Sequence, residues 1–322
     1  MVKFGGLGDV VQAFGPLRRI RQAHPEAELE VLTTPAFAPL FAASGLADRV
    51  WDDGRPRRLR DTLAMLRRLR RRRYDRVYDL QTSDRSSALR LALLPRPPEW
   101  SGIAPGASHP HRDRDRDTMH TLERQAAQLR DAGIWPDAPT APGSAPAPDL
   151  AFMAGRADIA GLAPPEPYVL LAPGAAPHRT GKRWPVAAYV ALARAFAAEG
   201  LRVAVVGGPG EREIGAEIAA TPGAADLTDR TDLAQLAALG PRAALAVGND
   251  TGPVHLLAAA GAPTLVLFGP ESDPALCAPR GRVVRVLRAD PLAALAPEEV
   301  LAAARNLLTA APRLIGAAPD PI

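Results

Sequence analysis

Short β-branched runs alternate with longer amphipathic runs along the whole 322-residue chain, and one proline-dense stretch interrupts them. Strands are predicted at 2–4, 29–33, 49–51, 77–80 and 100–103, with helices at 9–22, 36–43, 59–72 and 86–93. A second series follows, with strands at 168–171, 202–206, 243–247, 264–268 and 283–286 and helices at 186–199, 211–219, 233–239, 254–260 and 297–308. Alternation of this kind builds a parallel sheet wrapped by crossover helices. Between the two series, 134–167 is rich in proline and reads as a connector with a short helix near Gly155. The expected class is α/β, with two Rossmann-like domains at 1–150 and 151–322 facing each other across a cleft. The C-terminal tail is expected to pack back on the first domain. Ligands of such sheets bind outside the carboxyl ends of the strands. The first strand is shorter than the usual ~five or six residues. Either the start lies upstream of Met1 or this edge of the sheet is weak.

Composition narrows the class further. Hydrophobic residues make up 47% and charged residues 23%, as in globular proteins, and no window approaches the ~18 to 20 apolar residues of a membrane span. The first residues lack the basic and apolar regions of a signal peptide, so a cytoplasmic location is expected. The single cysteine, Cys277, excludes an internal disulfide and any cysteine-built metal site. Of 39 Lys and Arg residues, 24 precede residue 151, and nearly all are arginine, which pairs bidentately with phosphate or carboxylate. Aromatic residues are only 5% and none interleave with the arginine run 67–73, so no stacking platform for nucleic acid is expected. That run reads as a solvated helix face.

Four segments carry possible chemistry. The first is Val247-Gly248-Asn249-Asp250-Thr251-Gly252-Pro253-Val254-His255, after a strand and opening a helix. Asp250 or Thr251 can cap that helix, Gly252 admits a ligand close to the backbone, and Pro253 suits the first turn. The helix N-terminus then offers N–H groups to a pyrophosphate, with His255 one turn in as a further donor. A capped core helix with a buried histidine explains the same pattern without a ligand. The second is Pro173-Gly174-Ala175 with Lys182-Arg183-Trp184-Pro185, a glycine-bearing loop with one of only two lysines in the chain. It is not a Walker A loop, and Lys182 is either a point contact to phosphate or an ordinary surface side chain. The third is Gly207-Gly208-Pro209-Gly210-Glu211, where Glu211 can take ribose hydroxyls or simply favour a helix start. The fourth is Lys3-Phe4-Gly5-Gly6-Leu7-Gly8-Asp9. Asp9 would repel a phosphate there, which argues against a dinucleotide site and suits a general base. Alternatively it is an N-cap or first-turn acid.

Taken together, Gly-x-Leu-Gly-Asp9, Asp79-Leu80-Gln81, His120-Thr121-Leu122-Glu123-Arg124, Lys182-Arg183-Trp184-Pro185 and Asp250-Thr251-Gly252-x-x-His255 resemble the heptosyltransferases of glycosyltransferase family 9. The resemblance spans 2–310 in the family's order. It implies a GT-B fold, an ADP-heptose donor held by the second domain, and a lipopolysaccharide inner-core acceptor held by the first. It also implies inverting displacement with no essential metal and no cofactor beyond the nucleotide sugar. By that resemblance Asp9 is the base, Lys182 binds the diphosphate and Glu211 the ribose, and Asp250, Thr251, Gly252 and His255 form the donor motif; Gly174 joins the expected donor site through its glycine-bearing loop. Pro177 and His178 stand where the family often has Ser or Thr. A family-9 enzyme using another nucleotide sugar or acceptor, or a non-catalytic sugar-nucleotide-binding protein, remains an alternative.

The acceptor side is expected to use Gly8, Gln81 and Arg85 with Arg112, Arg114 and Arg116. Those three arginines alternate with aspartates in 108–117, which has no periodicity and reads as a mobile loop. An anionic glycolipid at the inner face of the cytoplasmic membrane would suit them. Self-neutralised solvated charges explain the loop equally well.

Overall fold

The computed structural model describes residues 1–139 and 141–310. The expected docking of the C-terminal tail concerns 311–322, outside the described residues. The chain divides between Pro148 and Asp149 into two compact units.

In the first unit, β1 (Glu30–Leu32) pairs with β2 (Arg49–Trp51), and β3 (Arg76–Tyr78), β4 (Glu99–Gly102) and β5 (His109–Pro110) form a second group, all parallel. Val2 joins the two groups through single parallel bridges to Leu32 and Asp79. The short first segment is therefore central, not a weak edge. Counted as strand one, it gives the doubly wound order 3-2-1-4-5-6. The connecting helices are α1 (Leu7–Gln12), α2 (Phe14–Ala23), α3 (Ala38–Ser44), α4 (Leu59–Arg72), α5 (Asp84–Ala92) and α6 (Thr121–Asp131). The single helix expected over 9–22 is broken at Ala13. Pro16 explains the break, because it has no N–H to give the Gln12 carbonyl one turn back. Met65 and Leu69 of α4 and Leu89 and Leu93 bury one face of the sheet against Val2, Val77 and Trp100. A cavity of about 520 Å³ lies at the amino ends of β1, β3 and β4, lined by Met1, Leu29, Leu69, Tyr74 and Trp100 among others. None of the candidate site residues lines it.

The second unit holds one six-stranded parallel sheet. Its strands are β6 (Tyr168–Ala172), β7 (Arg202–Val205), β8 (Ala224–Asp226), β9 (Leu245–Asn249), β10 (Thr264–Phe268) and β11 (Val284–Arg288). The spatial order β8-β7-β6-β9-β10-β11 is again 3-2-1-4-5-6. Helices α7 (Val186–Ala198), α8 (Arg212–Ala219), α9 (Leu233–Leu239), α10 (Gly252–Ala259), α11 (Pro274–Cys277) and α12 (Pro297–Ala310) wrap it. Every residue of β6, β9 and β10 is buried, as a parallel strand covered on both faces must be. The short helix expected near Gly155 is a 3₁₀ turn, Ala151–Gly155. The expected strand series omits β5 and β8. No helix among the described residues is long and apolar enough to cross a membrane.

Candidate active site

Strand order fixes where each unit can hold a ligand. In the second unit the order reverses between β6 and β9, the point at which sheets of this kind hold ligands at the carboxyl ends of the strands. Asn249, at the end of β9 and fully buried, ties this region together. Its amide nitrogen donates to the Pro173 carbonyl at 2.6 Å and the Gly174 carbonyl at 3.2 Å. Its oxygen accepts from the Trp184 backbone N–H at 3.2 Å and the Tyr189 hydroxyl at 2.9 Å. Trp184 also packs edge-on against Tyr189, with ring centroids 5.0 Å apart. The segment carrying Lys182 is thus anchored immediately beyond its lysine. The Arg183 guanidinium secures it further by donating to the Ala175 carbonyl at 3.0 Å.

Lys182 is not a surface lysine. Its ammonium donates to Asp250 Oδ2 at 2.6 Å, and the two side chains are 19% and 5% exposed. His255 Nε2 lies 3.4 Å from the other Asp250 oxygen. Burial alone would raise the Asp250 pKa, but hydrogen bonds from His255 and Lys182 outweigh it and bring the carboxyl down to about 2. Asp250 is therefore a stable anion that faces Lys182 and His255 beside the start of α10. The expected cap is only half realised. Thr251 occupies the N-cap position of α10 but makes no side-chain cap bond, and its Oγ1 is buried without a partner. Gly252 opens the helix, with the N–H groups of its first turn unclaimed by any cap side chain.

On the other side of β6, Glu211 reaches back from the loop after β7. Its Oε2 accepts the Gly208 N–H at 2.8 Å. A Cβ at Gly174 would lie 2.7 to 2.8 Å from the Glu211 carboxyl end, so glycine is what lets the acid lie across the mouth of β6. Gly174, Glu211 and Asn249 are thereby brought together, with Lys182, Asp250, Thr251, Gly252 and His255 on the β9 side.

The first unit has the same switch point between Val2 and β3, and it gathers the other set. The Lys3 ammonium is buried and donates to the Leu80 carbonyl at 3.1 Å, and the Phe4 N–H donates to Gln81 Oε1 at 2.8 Å. Gln81 thus spends its oxygen on the backbone. Burial lowers the Lys3 pKa and raises that of Asp79, whose Oδ1 accepts the Gln81 and Thr82 N–H groups while Oδ2 has no partner. Asp9 sits exposed in the first turn of α1, two residues inside its start. It is not the N-cap; that position is Gly6, and no side chain caps the helix. Gly8 precedes it in the same turn.

Arg124 of α6 is a residue whose role the sequence did not disclose. Burial lowers its pKa, and the fields of Arg116, Asp9 and Asp117 all act on it. An arginine therefore stands within electrostatic reach of the candidate base. The mobile loop expected at 108–117 is corrected in two places. His109 and Pro110 pair with β4, and His111 is buried with Nδ1 at 2.9 Å from Asp131. Arg116 donates to Thr82 Oγ1 at 2.7 Å and to Asp117 at 2.9 Å, which fixes it next to Gln81. Arg112, Arg114 and Arg85 are exposed. Among the described residues no three His, Cys, Asp or Glu side chains converge closely enough to hold a metal ion.

Comparison with known proteins gives the family and the fold. The model of glycosyltransferase family 9 (heptosyltransferase) matches residues 62–298. Lipopolysaccharide heptosyltransferase 2 of Salmonella typhimurium is 27% identical over 304 residues, covering 88% of this chain and 85% of the relative. The solved structure of Escherichia coli ADP-heptose lipopolysaccharide heptosyltransferase II superposes with a TM-score of 0.80 at 24% identity, covering 97% of this chain and 99% of that one. An Escherichia coli heptosyltransferase with ADP-2-deoxy-2-fluoro heptose gives 0.73 at 22% identity, covering 95% and 98%. The fold is GT-B. With the family's motifs collected at two matching switch points and its model matched over most of the chain, this protein belongs to glycosyltransferase family 9 and is a glycosyltransferase.

Proposed function

We propose that this enzyme transfers heptose from ADP-heptose to an inner-core lipopolysaccharide acceptor, with inversion and without an essential metal. The observation that carries the reading is the Lys182–Asp250 pair beside the uncapped start of α10, at the switch point of the second unit. A cation beside the backbone N–H groups at Thr251 and Gly252 suits a diphosphate at such a point. Glu211, lying across the mouth of β6, is positioned for the ribose hydroxyls, and Gly174 leaves room for it.

In this mechanism Asp9 takes the proton of an acceptor hydroxyl as that oxygen bonds to the anomeric carbon. The bond from that carbon to the diphosphate oxygen breaks on the opposite face, and ADP leaves with the electron pair. Lys182 and the N–H groups at Thr251 and Gly252 receive the charge that develops on the leaving oxygen, and stabilise it more in the transition state than in the ground state. Positive charge from the protein takes the role a metal would otherwise fill. Arg112, Arg114 and Arg116, with Arg85, Gln81 and Gly8, are assigned to an anionic acceptor. A glycolipid acceptor implies peripheral contact with the inner face of the cytoplasmic membrane. Support for the donor also comes from the relatives, two of whose names specify heptose transfer to lipopolysaccharide or ADP-heptose.

Calorimetric titration with ADP, ADP-heptose, a GDP-sugar and a UDP-sugar tests the donor. ADP and ADP-heptose should bind and the other two should not. Preferential binding of a GDP- or UDP-sugar would overturn the assignment of the donor's nucleotide and leave the enzyme class intact.

A further inference from the structure

Three polar atoms at the carboxyl ends of β9 and β10 are buried without hydrogen-bond partners: Thr251 Oγ1, Glu271 Oε2 and Ser272 Oγ. Buried polar groups are ordinarily paired, and a carboxylate oxygen left unpaired is among the more costly exceptions. All three sit around the Lys182–Asp250 pair. Thr251 follows Asp250 directly. Ser272 is near enough to the Asp250 carboxyl to help lower its pKa, though it makes no hydrogen bond of normal geometry. Glu271 is joined to the lysine's own segment, because its Oε1 accepts the Gly181 N–H at 2.9 Å.

The backbone at this place is built for close approach. A Cβ at Gly181 would lie 2.7 Å from Glu271 Oε1, and a Cβ at Gly269 would lie 2.1 Å from the Gly181 carbonyl oxygen. Two glycines therefore let the end of β10 press against the Lys182 segment and hold Glu271 with one oxygen engaged and the other unsatisfied. No basic side chain shares an ion pair with Glu271 among the described residues. The segment's cation, Lys182, is already committed to Asp250.

We infer that Glu271 and Ser272 recognise the transferred sugar of the donor, accepting and donating hydrogen bonds to its hydroxyls, while Lys182 and the α10 start hold the diphosphate. A polyhydroxylated sugar supplies the neutral donors and acceptors that these atoms lack. A further phosphate does not suit the place, since a carboxylate would repel it. The inference rests on the nucleotide-sugar reading above and adds the residues that distinguish a nucleotide sugar from its bare nucleotide.

The test compares affinities of the full-length enzyme for ADP and for ADP-heptose, in wild type, Glu271→Gln and Ser272→Ala. Glutamine keeps an oxygen for the Gly181 N–H but replaces the unpaired carboxylate oxygen with an amide nitrogen. Glu271→Gln should weaken ADP-heptose roughly tenfold or more and leave ADP within about twofold, and Ser272→Ala should act in the same direction by roughly two- to tenfold. Equal weakening of both ligands would overturn the inference and make Glu271 a clamp for the Lys182 segment only. Unchanged affinity for both in the two variants would overturn it as well. Failure of wild type to bind either ligand would instead contradict the proposed donor.

Discussion

Lys182 and Asp250 meet at 2.6 Å although they are 68 residues apart, one in the loop after β6 and the other at the end of β9. The lysine assigned to the diphosphate is therefore held in advance by a buried carboxylate. Removing it has two effects: a cation is lost, and an unpaired anion is left where a phosphate should bind. Lys182→Ala should weaken ADP binding roughly 10- to 150-fold, the scale of a lost charged hydrogen bond. The double variant Lys182→Ala/Asp250→Asn should bind ADP more tightly than Lys182→Ala alone. Strictly additive effects in a calorimetric double-mutant cycle would show that the two residues are not coupled at the site.

The same pair sets an acid dependence. Asp250 has a folded pKa of about 2 against an ordinary value of 3.8. A carboxyl whose folded pKa is depressed contributes stability above its unfolded pKa and loses it as pH falls through the folded value. The contribution is about 2 kcal/mol, present above about pH 4 and lost toward about pH 2. Denaturant titrations of wild type and Asp250→Asn should differ most at about pH 6, differ less at about pH 3 and converge only below about pH 2. A gap that stays constant between those conditions would contradict the ion pair.

Glu211 lies against Gly174 with one oxygen on the Gly208 N–H. If it holds the ribose, Glu211→Ala should weaken ADP by roughly tenfold but hardly change the binding of an ADP analogue lacking both ribose hydroxyls. Equal losses for the two ligands would assign Glu211 to loop structure.

The arginines at 112–116 separate into two kinds. Arg112 and Arg114 are exposed, whereas Arg116 is bonded to Thr82. Replacing Arg112 and Arg114 with Ala should raise the acceptor KM and leave the donor KM and the melting temperature unchanged. Arg116→Ala should raise the acceptor KM and also lower thermal stability by about 1 kcal/mol, through loss of the Thr82 bond. A donor KM that rises while the acceptor KM does not would remove all three from the acceptor site.

Where the sequence was readable and where it was not follows from the range of the interactions. β10 coincides with its expected span because a β-branched threonine followed by four buried apolar residues between turn signals admits little else. α4 was legible from its period, with Met65 and Leu69 inward and arginines outward. β8 was not, since Ala224-Ala225-Asp226 carries no β-branched residue and becomes a strand only by pairing with β7. β5 was hidden in a charged stretch for the same reason, with two residues held by β4. Motif spacing located both candidate sites, because strand-to-helix loops fall at the carboxyl ends of parallel strands. Spacing could not show that Asn249 would tie β9 to the Gly174 loop and to Tyr189, that Arg124 would come near Asp9, or that Lys182 would find Asp250. Each of those is an interaction across strands or elements that no local pattern encodes.

The role of Asp9 and the identity of the reaction meet in one measurement: mass spectrometry of products formed from ADP-heptose and a Kdo-bearing lipid acceptor by wild type and Asp9→Asn. Wild type should add one heptosyl unit per acceptor and release ADP. Asp9→Asn should bind ADP-heptose normally and form the same product about a hundredfold more slowly, the usual scale for a lost general base. Near-normal turnover by Asp9→Asn, or no heptosylated acceptor from wild type while another nucleotide sugar yields product, would contradict the mechanism at its centre.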